Sequence, residues 1–253
     1  MSVSTDTLSP EAVAPYLGGR FGTPYVYEPE CESTQLLLLG SGLPEGAVAA
    51  TDHQTGGRGR HGRPWVAPPA TSVLVSMMLH PPAGKRLPEL SLAAALATAE
   101  AVEGATGLSV QIKWPNDVML NRRKVAGILS ELADGEVVVG IGINANQTRD
   151  ELPDDTPTPA GSLRTLTGTT CDRAQLLGSL LSRFERAYDG WRSGGLAALY
   201  GEVGARDFLR GRRITVDGEP ATALQILRDG RLEIETRKHE TRVIESGEVL
   251  YVA

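Results

Sequence analysis

Cysteine is almost absent: Cys31 and Cys171 are the only two in 253 residues, too few for a disulfide framework or a structural zinc site. Long apolar runs are missing as well. The longest stretch, LAAALATAEAV, holds a glutamate and stops at eleven residues, where a membrane-spanning helix needs roughly 20. The opening MSVSTDTLSPEAV has neither a basic start nor an apolar core, so it does not read as a secretory signal. Basic charge is in deficit, with 25 Lys and Arg against 31 Asp and Glu for a net charge of −6. A surface built as a whole for nucleic acid or anionic lipid would lean the other way. His53, His61, His80 and His239 do not stand at metal-ligand spacing. These absences point to a soluble, cytoplasmic protein with no membrane and no nucleic-acid partner. What is present is ordinary globular composition, 41% hydrophobic and 22% charged. At roughly 150 residues per domain, the chain makes one large domain or one and a half.

Helical and strand patterns alternate along the chain. Ser9-Pro10-Glu11 starts a short helix that ends near Gly18-Gly19. Residues 25–27 read as a strand, and Ser33, Thr34 and Gln35 cap a helical LLLL run. Strands are expected at 46–51 and 71–79, a long helix at 89–103, and strands at 110–114, 124–129 and 137–143. Residues 148–161 carry acids and prolines and read as a solvated loop. Helices follow at 172–191, with Leu176, Leu177, Leu180, Leu181, Phe184 and Tyr188 on one face, and at 196–203. After Gly204 only short alternating strands remain, with Asp229-Gly230 marking a hairpin, which suggests a small separate β domain.

Three segments carry chemistry. In QTGGRGRHGRPW, residues 54–65, Gly57, Gly59 and Gly62 spell G-x-G-x-x-G, but Pro64, Pro68 and Pro69 forbid the helix that a dinucleotide fingerprint must open. No acid stands between Asp52 and Glu89 to neutralise Arg58, Arg60 and Arg63. Backbone N–H groups and guanidinium forks of this kind suit phosphate; the segment also reads as a mobile arginine-rich surface loop. In KWPNDVMLNRRKVAGILSE, residues 113–131, the strand stops at Trp114-Pro115 and turns at Asn116-Asp117, and the next strand starts at Lys124. An amide, a carboxylate and an ammonium thus meet, parts fit for orienting a substrate and stabilising developing negative charge, or else a hairpin with a polar turn. In VVVGIGINAN, residues 137–146, strand alternation puts Gly140, Gly142 and Asn144 on one bare face, against which a flat ligand or a packed backbone can lie. Asn146-Gln147-Thr148 matches a glycosylation sequon, meaningless without a secretory signal.

GRGRHGRPW, KWPND, KVAGILSE and GIGIN, in this order and at these spacings, resemble the catalytic domain of biotin protein ligases over about residues 30–205. The resemblance implies an α+β fold related to class II aminoacyl-tRNA synthetase catalytic domains, a mixed sheet with flanking helices, at residues 1–204. An SH3-like β-barrel follows at 205–253. It implies that Ser33, Thr34, Gln54, Gly57, Arg58, Gly59, Arg60, Lys124, Gly127 and Gly140 meet biotin. Arg58, Arg60, Arg63, Trp65, Asn116, Lys124 and Asn144 are implied for the nucleotide, and Lys124, Asp117, Arg58 and Arg60 for catalysis. The family usually reads Ser-Thr-Asn where this chain has Gln35.

The implied reaction joins biotin and ATP into biotinyl-5′-AMP, with Mg²⁺, Lys124 and the loop arginines stabilising charge; ligands for the metal are not identified. A lysine of a biotin carboxyl carrier domain, belonging to a biotin-dependent carboxylase, then takes the biotin, with Asp117 orienting that amine or accepting its proton. Only 32 residues precede Ser33, short of the winged helix-turn-helix of a repressor form, so no repressor activity is expected. The protein is expected to be a monomer or a weak homodimer. The rivals are lipoate ligase or octanoyltransferase chemistry on a carrier lysine and, from another class, a nucleic-acid-binding module.

Overall fold

The computed structural model describes residues 6–133 and 135–251. Ser9 caps α1 (Pro10–Val13) through its hydroxyl, with proline in the first turn as expected. Then come β1 (Tyr25–Cys31), β2 (Val48–Gln54), β3 (Ser72–Leu79) and α2 (Leu87–Thr106). Gly107 ends α2 in a left-handed conformation at φ 69°, its N–H reaching back to Glu103. β4 (Gln111–Lys113), β5 (Asp117–Leu120), β6 (Arg123–Ala133) and β7 (Glu136–Asn144) form a meander, followed by α3 (Leu163–Thr167) and α4 (Arg173–Gly194). Asp172 caps α4, accepting from Gln175 N–H. After α5 (Tyr200–Ala205) come β8 (Arg213–Val216), β9 (Glu219–Ile226), β10 (Leu232–Thr236), β11 (Thr241–Ile244) and β12 (Val249–Tyr251).

The first seven strands form one mixed sheet in the order β1-β2-β3-β7-β6-β5-β4, with β1–β2 its single parallel pair. Alternation along β7 divides the sheet. Val137, Val139, Ile141 and Ile143 enter the core under α2 and α4, whereas Val138 joins a small cluster with Leu38, Ala47, Ala49 and Met78 on the opposite face. Gly140, Gly142 and Asn144 share that second face, so one side of the sheet carries the core and the other is left to the site. The last five strands form a purely antiparallel sheet, β11-β10-β9-β8-β12, the strand-only unit expected of an SH3-like fold.

One local expectation fails and two hold only in part. The LLLL run is not a helix: the N–H groups of Leu36, Leu38 and Ser41 bond three residues back, and Gly40 and Gly42 take positive φ. The segment is a chain of turns, because Thr34 and Gln35 spend their side chains on the sheet rather than on capping. The turn expected at Asn116-Asp117 falls at residues 114–116, and residues 117–120 form a strand that was not expected, since Asn121 and Arg122 both adopt positive φ and close a tight two-residue hairpin into β6. Residues 148–161 are not simply solvated. Lys124 N–H donates to Pro159 and Gly161 N–H to the Lys124 carbonyl, lacing this segment onto β6.

Candidate active site

The bare strip of β7 forms the floor of a cavity of about 210 Å³. It is bare for close approach. A Cβ at Gly142 would fall 2.5 Å from the Trp65 indole, and one at Gly140 would fall 3.1 Å from the Gln35 carboxamide. Gln35 is itself 3% exposed and donates to the Leu129 carbonyl across the strip at 3.1 Å. The longer amide, which departs from the family pattern, therefore reaches β6.

One end of the cavity is a polar knot. Thr34 donates to Gln54 Oε1 from its backbone at 2.9 Å and from its hydroxyl at 3.2 Å, and its Oγ1 lies 2.7 Å from Ser76 Oγ. Ser33 is buried beside them. Hydroxyls and amides here can satisfy the polar edge of a small ligand whose body rests on apolar floor.

At the centre, the β4–β5 hairpin pairs Lys113 with Asp117, and β5–β6 pairs Asp117 with Gly127. Asp117 lies 2.6 Å from Lys124 Nζ and 3.6 Å from Lys113 Nζ. Burial pushes the Asp117 pKa up, but the two ammonium groups outweigh it and hold the carboxyl below its ordinary value. Burial pulls Lys113 down, with Asp117 only partly opposing it. Two cations share one anion, so one positive charge is left over. Lys124 Nζ also sits 5.8 Å from the centre of the Trp65 ring. Asn116 donates to Ile128 O at 2.7 Å and accepts from Arg60 at 3.2 Å, tying the glycine-arginine loop to the hairpin.

That loop closes on itself. Gly59 N–H donates to Arg63 O, and Trp65 N–H to Gly57 O. The expectation that nothing negative neutralises its arginines is overturned by the fold. Arg58 lies 3.9 Å from Glu131 on β6, and Arg63 pairs with Glu248 beside β12. Both acids are remote in sequence, which is why the local reading missed them. Ser33, Thr34, Gln54, Arg58, Gly59, Arg60, Arg63, Trp65, Asn116, Asp117, Lys124, Gly127, Gly140 and Asn144 all line the one cavity. Gly57 does not line it and borders a second, more open pocket together with Leu129 and Glu131.

Sequence reasoning passed over three contributors. Lys113 opens the very run that named Asn116 and Asp117, and a lysine four residues before an aspartate across a two-strand turn was the available signal. Ser76 had no signal beyond a polar residue inside an otherwise apolar strand. Residues 153–160 supply a wall through Pro153, Thr158 and Ala160, which only the lacing onto β6 reveals.

Floor, polar end and surplus cation suit a small, largely apolar molecule carrying an anionic group. The profile of the biotin/lipoate A/B protein ligase family matches residues 30–147. The biotin–[acetyl-CoA-carboxylase] ligase of Mycobacterium tuberculosis is 32% identical over 224 residues, 82% of this chain and 80% of that protein. The bifunctional ligase/repressor BirA of Bacillus spizizenii is 35% identical over 187 residues, covering 70% of this chain. The match spans 58% of that protein's length. The Aquifex aeolicus biotin protein ligase, solved with biotin and ATP, superposes with a TM-score of 0.82 at 30% identity, over 90% of this chain and 98% of that one. The chain belongs to the biotin protein ligase family.

Proposed function

We propose that the protein activates biotin with ATP and transfers it to a lysine of a biotin carboxyl carrier domain. The observation that carries this reading is the Lys113–Asp117–Lys124 cluster, which lines the same cavity as the polar knot and the arginine loop. Biotin would rest on the Gly140 floor with its ureido ring at Ser33, Thr34 and Gln54, and its carboxylate would reach the surplus positive charge. ATP would lie under Arg58, Arg60 and Arg63, its base toward Trp65 and Asn144.

A biotin carboxylate oxygen then attacks the α-phosphorus, an O–P bond forms, and the bond to pyrophosphate breaks. Neither reactant needs a protein nucleophile. The protein's part is to bring two anions together and to neutralise the charge that grows on the phosphate, through Lys124, Lys113 and the arginines. In the second step the neutral amine of the carrier lysine attacks the acyl carbon, an amide forms, AMP leaves with the electron pair of the broken C–O bond, and the amine's surplus proton passes to water.

Asp117 fits a different task from proton acceptance. A carboxylate held between two ammonium groups is a weak base, so we assign it to positioning Lys124 and Lys113. Mg²⁺ would enter with ATP, held mainly by the phosphates and ordered water; the described residues hold no cluster of three or more acids, histidines or cysteines that would bind it without the nucleotide. No step is routed through a protein-bound metal. We also take residues 205–253 as a separate β unit following the catalytic domain at 1–204.

The test is transfer. Incubated with ATP, biotin and an apo carrier domain, the protein should raise the mass of one carrier lysine by a biotinyl group, and excess lipoate should not compete. Lipoylation in preference to biotinylation would overturn the substrate assignment.

A further inference from the structure

Gln147 lies three residues beyond Asn144, is 1% exposed, and takes no part in the chemistry above. Its carboxamide belongs to a chain of hydrogen bonds whose direction is set from one end. The Gly161 carbonyl can only accept, so the atom 3.0 Å from it must be Asn144 Nδ2. That turns Asn144 Oδ1 toward Gln147, which must then offer its Nε2, 3.1 Å away. The same Nε2 lies 2.7 Å from Ser72 Oγ, and Ser162 Oγ holds the Gln147 backbone carbonyl at 2.7 Å. Gln147 Oε1 is left buried without a partner among the described residues. An unpaired buried acceptor is costly. Turning the amide over to pair it with Ser72 would set it against Asn144 Oδ1, acceptor to acceptor. The neighbouring bond keeps the orientation.

Asn144 is 6% exposed and lines the cavity. With one lone pair of Oδ1 engaged by Gln147 and one Nδ2 hydrogen by Gly161, the second Nδ2 hydrogen and the second Oδ1 lone pair are left for a ligand. We propose that Gln147 is a positioning residue that locks the Asn144 carboxamide so that it presents a fixed donor beside a fixed acceptor to the cavity. It thereby selects adenine, whose N6 amino group donates beside an accepting ring nitrogen, over guanine, whose O6 and N7 both accept. The inference rests on the adenylating reading and specifies its nucleotide.

Gln147→Met keeps the volume and removes both side-chain bonds. In biotin-dependent exchange of pyrophosphate into the nucleotide, it should raise the KM for ATP about tenfold, the equivalent of one lost orienting bond. The preference for ATP over GTP should fall to match, while the biotin Kd measured by calorimetry stays within about twofold. In an Asn144→Ala background the same substitution should leave the ATP KM unchanged, because the group it orients is gone. An unchanged ATP preference in Gln147→Met, a biotin Kd weakened as much as the ATP KM, or a full effect persisting in Asn144→Ala overturns the proposal. A wild-type protein that exchanges normally while Gln147→Met keeps its preference brings down this inference alone. A wild type with no biotin-dependent exchange brings down the ligase reading and this inference with it.

Discussion

A lysine 4% exposed, like Lys113, is tolerable only beside a counter-charge. Asp117 supplies it while also holding Lys124. Lys124→Ala should therefore depress biotin-dependent exchange a hundredfold or more, the cost of losing one electrostatic contact of about 3 kcal/mol in the transition state, while the circular dichroism spectrum is retained. Near-wild-type exchange in the folded variant would show that the ammonium is merely solvated. Lys113 gives a pH signature. Because burial lowers its pKa from 10.5, the folded protein sheds this proton below pH 10.5, before the unfolded chain does. Activity that needs the charge should thus fall on the alkaline side before an ordinary lysine titrates, although this group's contribution to stability rises through the same window. Lys113→Arg should move that limb of the exchange profile to higher pH; an unmoved limb would assign it elsewhere. At this scale the sequence was readable where residues cluster in a motif, as Asp117 and Lys124 do. It was silent where partners meet only across strands, as with Ser76 and Thr34 or Glu131 and Arg58.

Among the elements, the glycine-arginine loop depends on Arg60 for its hydrogen bond to the β4–β5 hairpin. Its backbone is tied at the root by Thr55 and Gly56 N–H to the Cys31 and Glu32 carbonyls, and beyond that its bonds run within the loop, Gly57 to Trp65 and Gly59 to Arg63. Arg60→Gly removes that tie and adds backbone freedom. The loop should then close poorly over the reactive anhydride, so adenylate dissociation should quicken and albumin added to the reaction should acquire biotin. Unchanged dissociation with labelling still confined to the carrier would refute a covering role. The long elements, α2, α4, β3 and β7, were legible because their apolar period persists over many residues. The turn chain after Ser33 and the short β5 were not. There, tertiary hydrogen bonds to Gln54, Ser76 and Leu129 and a positive-φ pair at Asn121-Arg122 override local pattern. Residues 148–161 misled for the same reason, since prolines and acids look solvated until a strand is found to receive their backbone.

Across the whole molecule, the C-terminal sheet is joined to the site rather than hung beside it. Trp114 Nε1, next to Lys113, donates to Gly230 O at 2.9 Å, and residues 247–250 complete the cavity wall. Asp207 fastens the junction, accepting from Leu209 N–H and Ile226 N–H at 3.0 Å each, while burial pushes its pKa up. Asp207→Ala would orphan two buried donors and should cost roughly 2 kcal/mol or more in urea unfolding; a smaller loss would mean water replaces the carboxylate. On the proposed function, one cavity joins the biotin carboxylate to the α-phosphate of ATP, and exchange of labelled pyrophosphate into ATP tests this most directly. The exchange should require biotin, should not be supported by lipoate, and should proceed without any carrier domain. Exchange independent of biotin, or none until a carrier is added, would contradict it.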